Sequence, residues 1–141
     1  MLKVVLDVNV LVSSLINRRG PPGRIQAAWR RGELMVVTSQ VIINKTGKVL
    51  HRPHILTVFS ITETDIHDLL HALSEHGLLT PHLLDLQVVK EDPEDDTIIT
   101  AAVEGKADCI ISGDKHLTKM ESYQDIPILS PAEFVTQHEI P

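Results

Sequence analysis

A chain of 141 residues with 43% hydrophobic content, a single cysteine and a formal net charge of −6 fits one globular domain, 1–141, able to bury about 70% of its unfolded surface. No stretch approaches the ~18 unbroken apolar residues of a membrane span, and Asp7 and Asn9 interrupt the apolar N-terminus, against a secretory signal. With only Cys109 there is no internal disulfide, so the reducing cytoplasm is the expected compartment.

Strands and helices alternate along the chain. Lys3–Asp7 reads as a strand and Val8–Ile16 as a helix. Arg18–Gly23 is a basic turn rich in Gly and Pro, and Arg24–Gly32 a second helical piece around Trp29. Leu34–Thr38 is the next strand. Ser39 caps a helix toward Leu50, weakened by Thr46 and Gly47 and ended at Arg52-Pro53. Thr62–His76 is the clearest helix, with Ile66, Leu69, Leu70 and Leu73 at i, i+3, i+4 and i+7. Leu86–Val89 reads as a short strand, followed by a helix from Pro93 to about Glu104. Asp108–Ser112 is a strand, Asp114–Met120 a short helix, Ile126–Leu129 a last strand, and Pro131 opens a terminal helix. This alternation predicts a parallel sheet between two helical layers, with right-handed crossovers.

Charge is distributed unevenly over these elements. Residues 1–53 carry nine basic and two acidic side chains, a balance of +7, while residues 54–141 carry four basic and seventeen acidic ones, a balance of −13. Such asymmetry suits a surface that meets nucleic acid, although solvated helix faces produce it too. Trp29, Phe59, Tyr123 and Phe134 are the whole aromatic complement, too few for a base-stacking platform.

Three carboxylates stand just past short apolar runs: Asp7 after Val4-Val5-Leu6, Asp96 after Leu86–Val89, and Asp114 after Cys109–Gly113. In a parallel sheet, ligands bind beyond the carboxyl ends of the strands, and oxygen donors meeting there suit Mg²⁺ or Mn²⁺. Asn9 and Ser13, one helical turn apart, are candidates to orient Asp7. Each acid also has a structural explanation as a helix cap. This is strongest in Asp92-Pro93-Glu94-Asp95-Asp96, where acids and proline are what a helix start favours. His116 is a possible ligand or proton carrier. His67-Asp68-Leu69-Leu70-His71 only superficially matches a zinc-peptidase helix, lacking its Glu and a third ligand. Nucleophilic catalysis has no Gly-x-Ser-x-Gly elbow to support it, and Cys109 reads as buried.

Taken together, Val4-Val5-Leu6-Asp7-Val8-Asn9, Asp92–Asp96 and Asp108–Lys115 resemble the PIN-domain family, in its branch of toxin-component, VapC-like ribonucleases. The Pro21–Arg24 turn, the His51-Arg52-Pro53 stop and Ser130–Phe134 fit that branch as well. The resemblance implies a three-layer α/β/α sandwich with an about five-stranded parallel sheet. It also implies a quartet of acids binding one or two Mg²⁺ or Mn²⁺ ions, hydrolysis of single-stranded RNA, frequent homodimers and inhibition by an antitoxin protein. By position, Asp7, Asp96 and Asp114 match three of the quartet, with Asn9 and Ser112 in support and Asp92 and Asp95 as secondary candidates. Arg18, Arg19, Arg24, Arg30 and Arg31 are candidate phosphate contacts.

The departure is Lys45, which stands where the resemblance expects the fourth acid, and no acid lies between Glu33 and Glu63 to replace it. Exchanging −1 for +1 at ~6 Å from a divalent ion costs roughly 3 kcal/mol at water's dielectric and ~11 at an effective value of 20. That amounts to ~2 to 8 decades of ion affinity. The lysine stem can swing away, or its ammonium can lie among the aspartates in place of a cation. The expected outcome is a weakened nuclease; the alternative is a catalytically inactive PIN fold that binds RNA or a partner protein. A phosphatase of the haloacid-dehalogenase type built on Asp7 would need a second Asp where Asn9 stands.

Overall fold

Lys3–Leu6 forms strand β1, whose Val4, Val5 and Leu6 are buried, as expected of a parallel strand covered on both faces. The computed structural model describes residues 1–84, 86 and 95–141. In it β1 lies between β2 (Met35–Ser39) and β4 (Cys109–Ile111), parallel to both, with Val5 opposite Val37 and Ile110. Strand β3 (Leu78–Thr80) extends the sheet beyond β2, and β6 (Ile126–Leu129) extends it beyond β4. A two-residue strand, β5 (Ser122–Tyr123), pairs antiparallel to β6 and closes the order β3-β2-β1-β4-β6-β5.

The fold is thus the expected α/β architecture, with six strands instead of about five. The extra strand comes from a hairpin whose two loop residues, Gln124 and Asp125, both adopt positive φ, the geometry of the turns that suit strand twist. The third strand also lies earlier than expected, at Leu78–Thr80. Of the anticipated Leu86–Val89 strand, Leu86 is not in a strand and residues 87–89 lie outside the described residues.

Helices α1 (Val8–Ile16) and α2 (Pro21–Arg30) lead from β1 to β2. The turn expected over Arg18–Gly23 is shorter than that, because Pro21 and Pro22 occupy the first helical positions, where a missing N–H costs nothing. Gly23 is needed here: a Cβ would run into the Arg18 carbonyl. Helix α3 (Gln40–Leu50) is capped by Ser39, whose Oγ accepts from Ile42 N at 3.4 Å. Its weak formers have reasons to be there. Thr46 Oγ1 returns a hydrogen bond to the Ile42 carbonyl at 2.8 Å, and a Cβ on Gly47 would meet Leu70 Cδ1 at 3.2 Å. Leu70 belongs to α5 (Glu63–His76), so Gly47 lets the two helices approach. That helix begins with a reciprocal capping box between Thr62 and Asp65 and buries Ile66, Leu69 and Leu73. Fully burying each such side chain contributes about 1.5–3 kcal/mol.

Pro53 does not merely stop α3; it opens a further helix, α4 (Pro53–Phe59), that buries none of its residues. Helix α6 (Asp95–Glu104) crosses β2, β1 and β4, and the right-handed crossover rule puts it on the face opposite α1–α5. A short α7 (Lys115–Thr118) and a terminal α8 (Pro131–Gln137), capped by Ser130 and Glu133, complete the described structure. No helix among the described residues is long and apolar enough to cross a membrane.

Candidate active site at the switch point of the sheet

From β1 the chain steps one way to β2 and β3, whereas β4 and β6 continue the sheet the other way. The crevice between the carboxyl ends of β1 and β4 is therefore the switch point where parallel sheets bind ligands. Asp7 follows β1, and its amide donates to the Ile111 carbonyl of β4 at 3.0 Å. Its side chain caps α1: Oδ1 accepts from Val8 N at 2.7 Å, and Oδ2 from Ser112 Oγ at 2.6 Å and Asn9 Nδ2 at 3.3 Å. Asp7 is only 6% exposed. Capping and site geometry are one arrangement here, because hydrogen bonds from one side fix a carboxylate whose edge lines a cavity.

Ser112 is fully buried and joins two acids. Its hydroxyl donates to Asp7 and accepts from Asp114 N at 2.9 Å. Gly113 N donates to Asn9 Oδ1 at 3.2 Å, stapling the loop after β4 to the first turn of α1. Asp114 caps α7, its Oδ1 accepting from His116 N at 2.7 Å, with His116 Nδ1 at 3.4 Å from the same oxygen. Ser13, one turn beyond Asn9, is not among the residues lining the cavity.

From the other face, α6 delivers Asp95. Asp96 stands by position with Asp7 and Asp114, but Asp95, 5% exposed, is the neighbour that lines the cavity with them, and Asp96 is not among the lining residues. Helical geometry explains the choice. Asp95 shares a stripe with buried Ile98, Ile99 and Ala102 at i+3, i+4 and i+7, and its immediate neighbour is turned ~100° away. That spacing was readable in the sequence. Asp92 and Glu94 lie outside the described residues.

The cavity has a volume of about 320 Å³. Asp7, Asp95 and Asp114 form its acidic side, and Val8, Val12 and Ile98 apolar walls. Helix α3 presents Val41, Lys45 and Val49 at i, i+4 and i+8, and Arg52 follows just beyond the helix end. Lys45 therefore lines the same cavity as the three aspartates. Arg52 was not singled out by sequence reasoning, although its place seven residues after Lys45 continues the same stripe.

The residues present suit a divalent ion. Asp95, Asp114 and His116 each offer one ligand atom, all within 4.8 Å of one another, the separation that donors around one ion at ~2.0–2.6 Å span. Cys109 is unsuited to nucleophilic work: burial, with Asp108 beside it, pushes its thiol up to about 12. The arginines proposed as phosphate contacts lie away from the cavity. Arg18 pairs with Asp65 at 3.2 Å, Arg31 with Glu33 at 2.7 Å, and Arg24 donates to the Ile140 carbonyl at 2.6 Å. Arg30 lies over the Trp29 ring at 5.5 Å, and Arg19 is exposed.

Acids gathered at the switch point of such a sheet belong to a recognisable class, and residues 3–116 match the PIN domain family. The chain belongs to that family, a membership that points to nuclease chemistry and divalent metals. It is also 30% identical over 146 aligned positions, covering 98% of this chain and 92% of the other, to the uncharacterized protein MJ1680 of Methanocaldococcus jannaschii.

Proposed function

We propose that this protein is a Mg²⁺- or Mn²⁺-dependent ribonuclease hydrolysing phosphodiester bonds in single-stranded RNA. The supporting observation is the convergence of Asp7, Asp95 and Asp114 on one cavity, with Asp95, Asp114 and His116 spaced for an ion. A divalent ion held there supplies positive charge against the charge developing on a phosphate and acidifies water. The chain's own groups prepare that chemistry. Ser112 and Asn9 hold the Asp7 carboxylate in one orientation, and Val8, Val12 and Ile98 keep bulk water from much of the cavity wall. A basic N-terminal half, with Arg18, Arg19, Arg24, Arg30 and Arg31 outside the cavity, supports RNA as the polyanion met.

The toxin branch of the family extends the reading to a cytoplasmic homodimer held in check by an antitoxin protein. Finding a small DNA-binding protein encoded next to this one would support that extension. The second reading, a PIN fold that binds RNA or a partner without cutting, draws its support from Lys45 on the cavity wall. The deciding experiment follows cleavage of a fluorescent single-stranded RNA in Mn²⁺ and in Mg²⁺ by wild type, Asp7→Asn and Lys45→Glu. Cutting by wild type that vanishes in Asp7→Asn supports the nuclease. A silent wild type beside an active Lys45→Glu supports the binding protein.

A further inference from the structure

We propose that Lys45 carries the charge of one divalent ion within the cavity, making it a one-ion site, and that Lys45 and Arg52 together hold a phosphate of the RNA. This deepens the ribonuclease reading and rests on it for the identity of the ligand.

Lys45 is half-buried on the stripe of α3 that lines the cavity, between Val41 and Val49 one turn to either side. Arg52 continues the wall at the start of α4, where its side chain makes no capping bond. Its planar fork matches two phosphate oxygens at once, whereas lysine offers a compact point charge. Among the described residues, the acids lining the cavity come from the end of β1, the start of α6 and the loop after β4, and the cations from α3 and the start of α4.

Among the described residues lining the cavity, three carboxylates oppose two cations, leaving one negative charge. One divalent ion turns that balance to one positive charge, which matches the single negative charge of a phosphodiester. With Glu at 45 in place of Lys, the balance would be three negative charges, and two ions would be needed to reach the same state. Replacing an acid by a lysine changes the charge by two, the charge of one ion. The donor geometry agrees: among the described residues, Asp95, Asp114 and His116 make one compact ligand set.

A cation that belongs to the protein does not wash out. Lys45 and Arg52 should thus keep part of their affinity for a phosphate without metal, whereas with Glu at 45 only Arg52 would remain to hold it. The test uses the full chain in EDTA, with fluorescence anisotropy of a short fluorescein-labelled single-stranded oligoribonucleotide, and separately a Mn²⁺ titration followed by electron paramagnetic resonance. Wild type should bind the RNA in EDTA and take up one Mn²⁺. Lys45→Glu should bind RNA in EDTA at least ~10-fold more weakly, while binding two Mn²⁺ with the first at least ~100-fold tighter. Arg52→Gln should lose ~10-fold in RNA affinity and keep one Mn²⁺, and its salt slope should fall by ~0.7 for the lost phosphate contact. Lys106→Gln, an exposed cation before β4 and so at the other end of the sheet, should change neither measurement.

Should Lys45→Glu fold poorly, Lys45→Gln replaces it, with RNA binding in EDTA reduced and the single Mn²⁺ held more tightly. Unchanged RNA affinity in both the Lys45 and Arg52 variants, two Mn²⁺ in wild type, or no Mn²⁺ in wild type would each overturn the proposal. These readouts need no turnover. Absence of cleavage with the binding results as expected would sink the ribonuclease reading and leave this one standing.

Discussion

On one side of the cavity Asp7 is 6% exposed, and Val8 N, Asn9 Nδ2 and Ser112 Oγ all donate to it. Elsewhere on its wall Lys45 is half-buried, and Arg52 is exposed just before a helix that buries none of its own residues. Asp7 and Asp114 stand at the strand ends, and the bonds that orient Asp7 also join the end of β1 to that of β4. The α3 side is a stripe of long side chains laid over that framework. Asp7 is held by three hydrogen bonds that also cap α1 and bind the loop after β4, whereas position 45 lies on a helix outside the sheet.

Experiments can press on that contrast, beginning with its largest consequence. Asp7→Asn and Asp95→Asn should each lower RNA cleavage by more than ~100-fold, above the range found for residues that merely support a metal ligand. Asp96→Asn should stay within about twofold of wild type in the same assay; an equal loss would move the site's edge to Asp96. Ser112→Ala should follow with a ~10–100-fold drop in Mn²⁺ affinity, because Asp7 loses its orienting hydroxyl and the loop carrying Asp114 loses an anchor.

The smallest effect concerns the mounting of the α3 wall. His51 Nε2 lies 2.9 Å from Glu63, and Nδ1 lies 2.7 Å from the Gly47 carbonyl, tying the end of α3 to the start of α5. The Glu63 carboxylate first, and the carbonyl second, raise the His51 pKa above the usual histidine value. A raised folded-state pKa gives stability that is complete below ~6.5 and lost as pH climbs through the folded value. Wild type should accordingly lose Tm relative to His51→Ala as pH rises above ~6.5, by no more than ~3 °C for so exposed a pair.

Much of this was legible before any coordinates. Apolar runs such as Val4-Val5-Leu6 and Cys109-Ile110-Ile111 carry their own strand signal, and Thr62 with Asp65 announces the start of α5. The sixth strand was hidden because its hairpin uses Gln124-Asp125, which lacks the glycine that usually marks positive φ. In the acidic run, capping preference favours every carboxylate alike, so only the buried stripe of α6 separates Asp95 from Asp96. Arg52 was obscured by Pro53, which reads as a stop when followed from α3 and as a start when followed into α4.

Cys109 lends the molecule a use unrelated to its chemistry. The thiol is 2% exposed on β4, three residues before Ser112, and burial holds it in its unreactive form. A thiol reagent reaches it only when the middle of the sheet opens, so the labelling rate reports that opening directly. As the sole cysteine of the chain, it gives one signal per molecule, without a tag or an added fluorophore. A variant that has lost its chemistry but kept its fold will label as slowly as wild type, whereas one that has come apart will label at once.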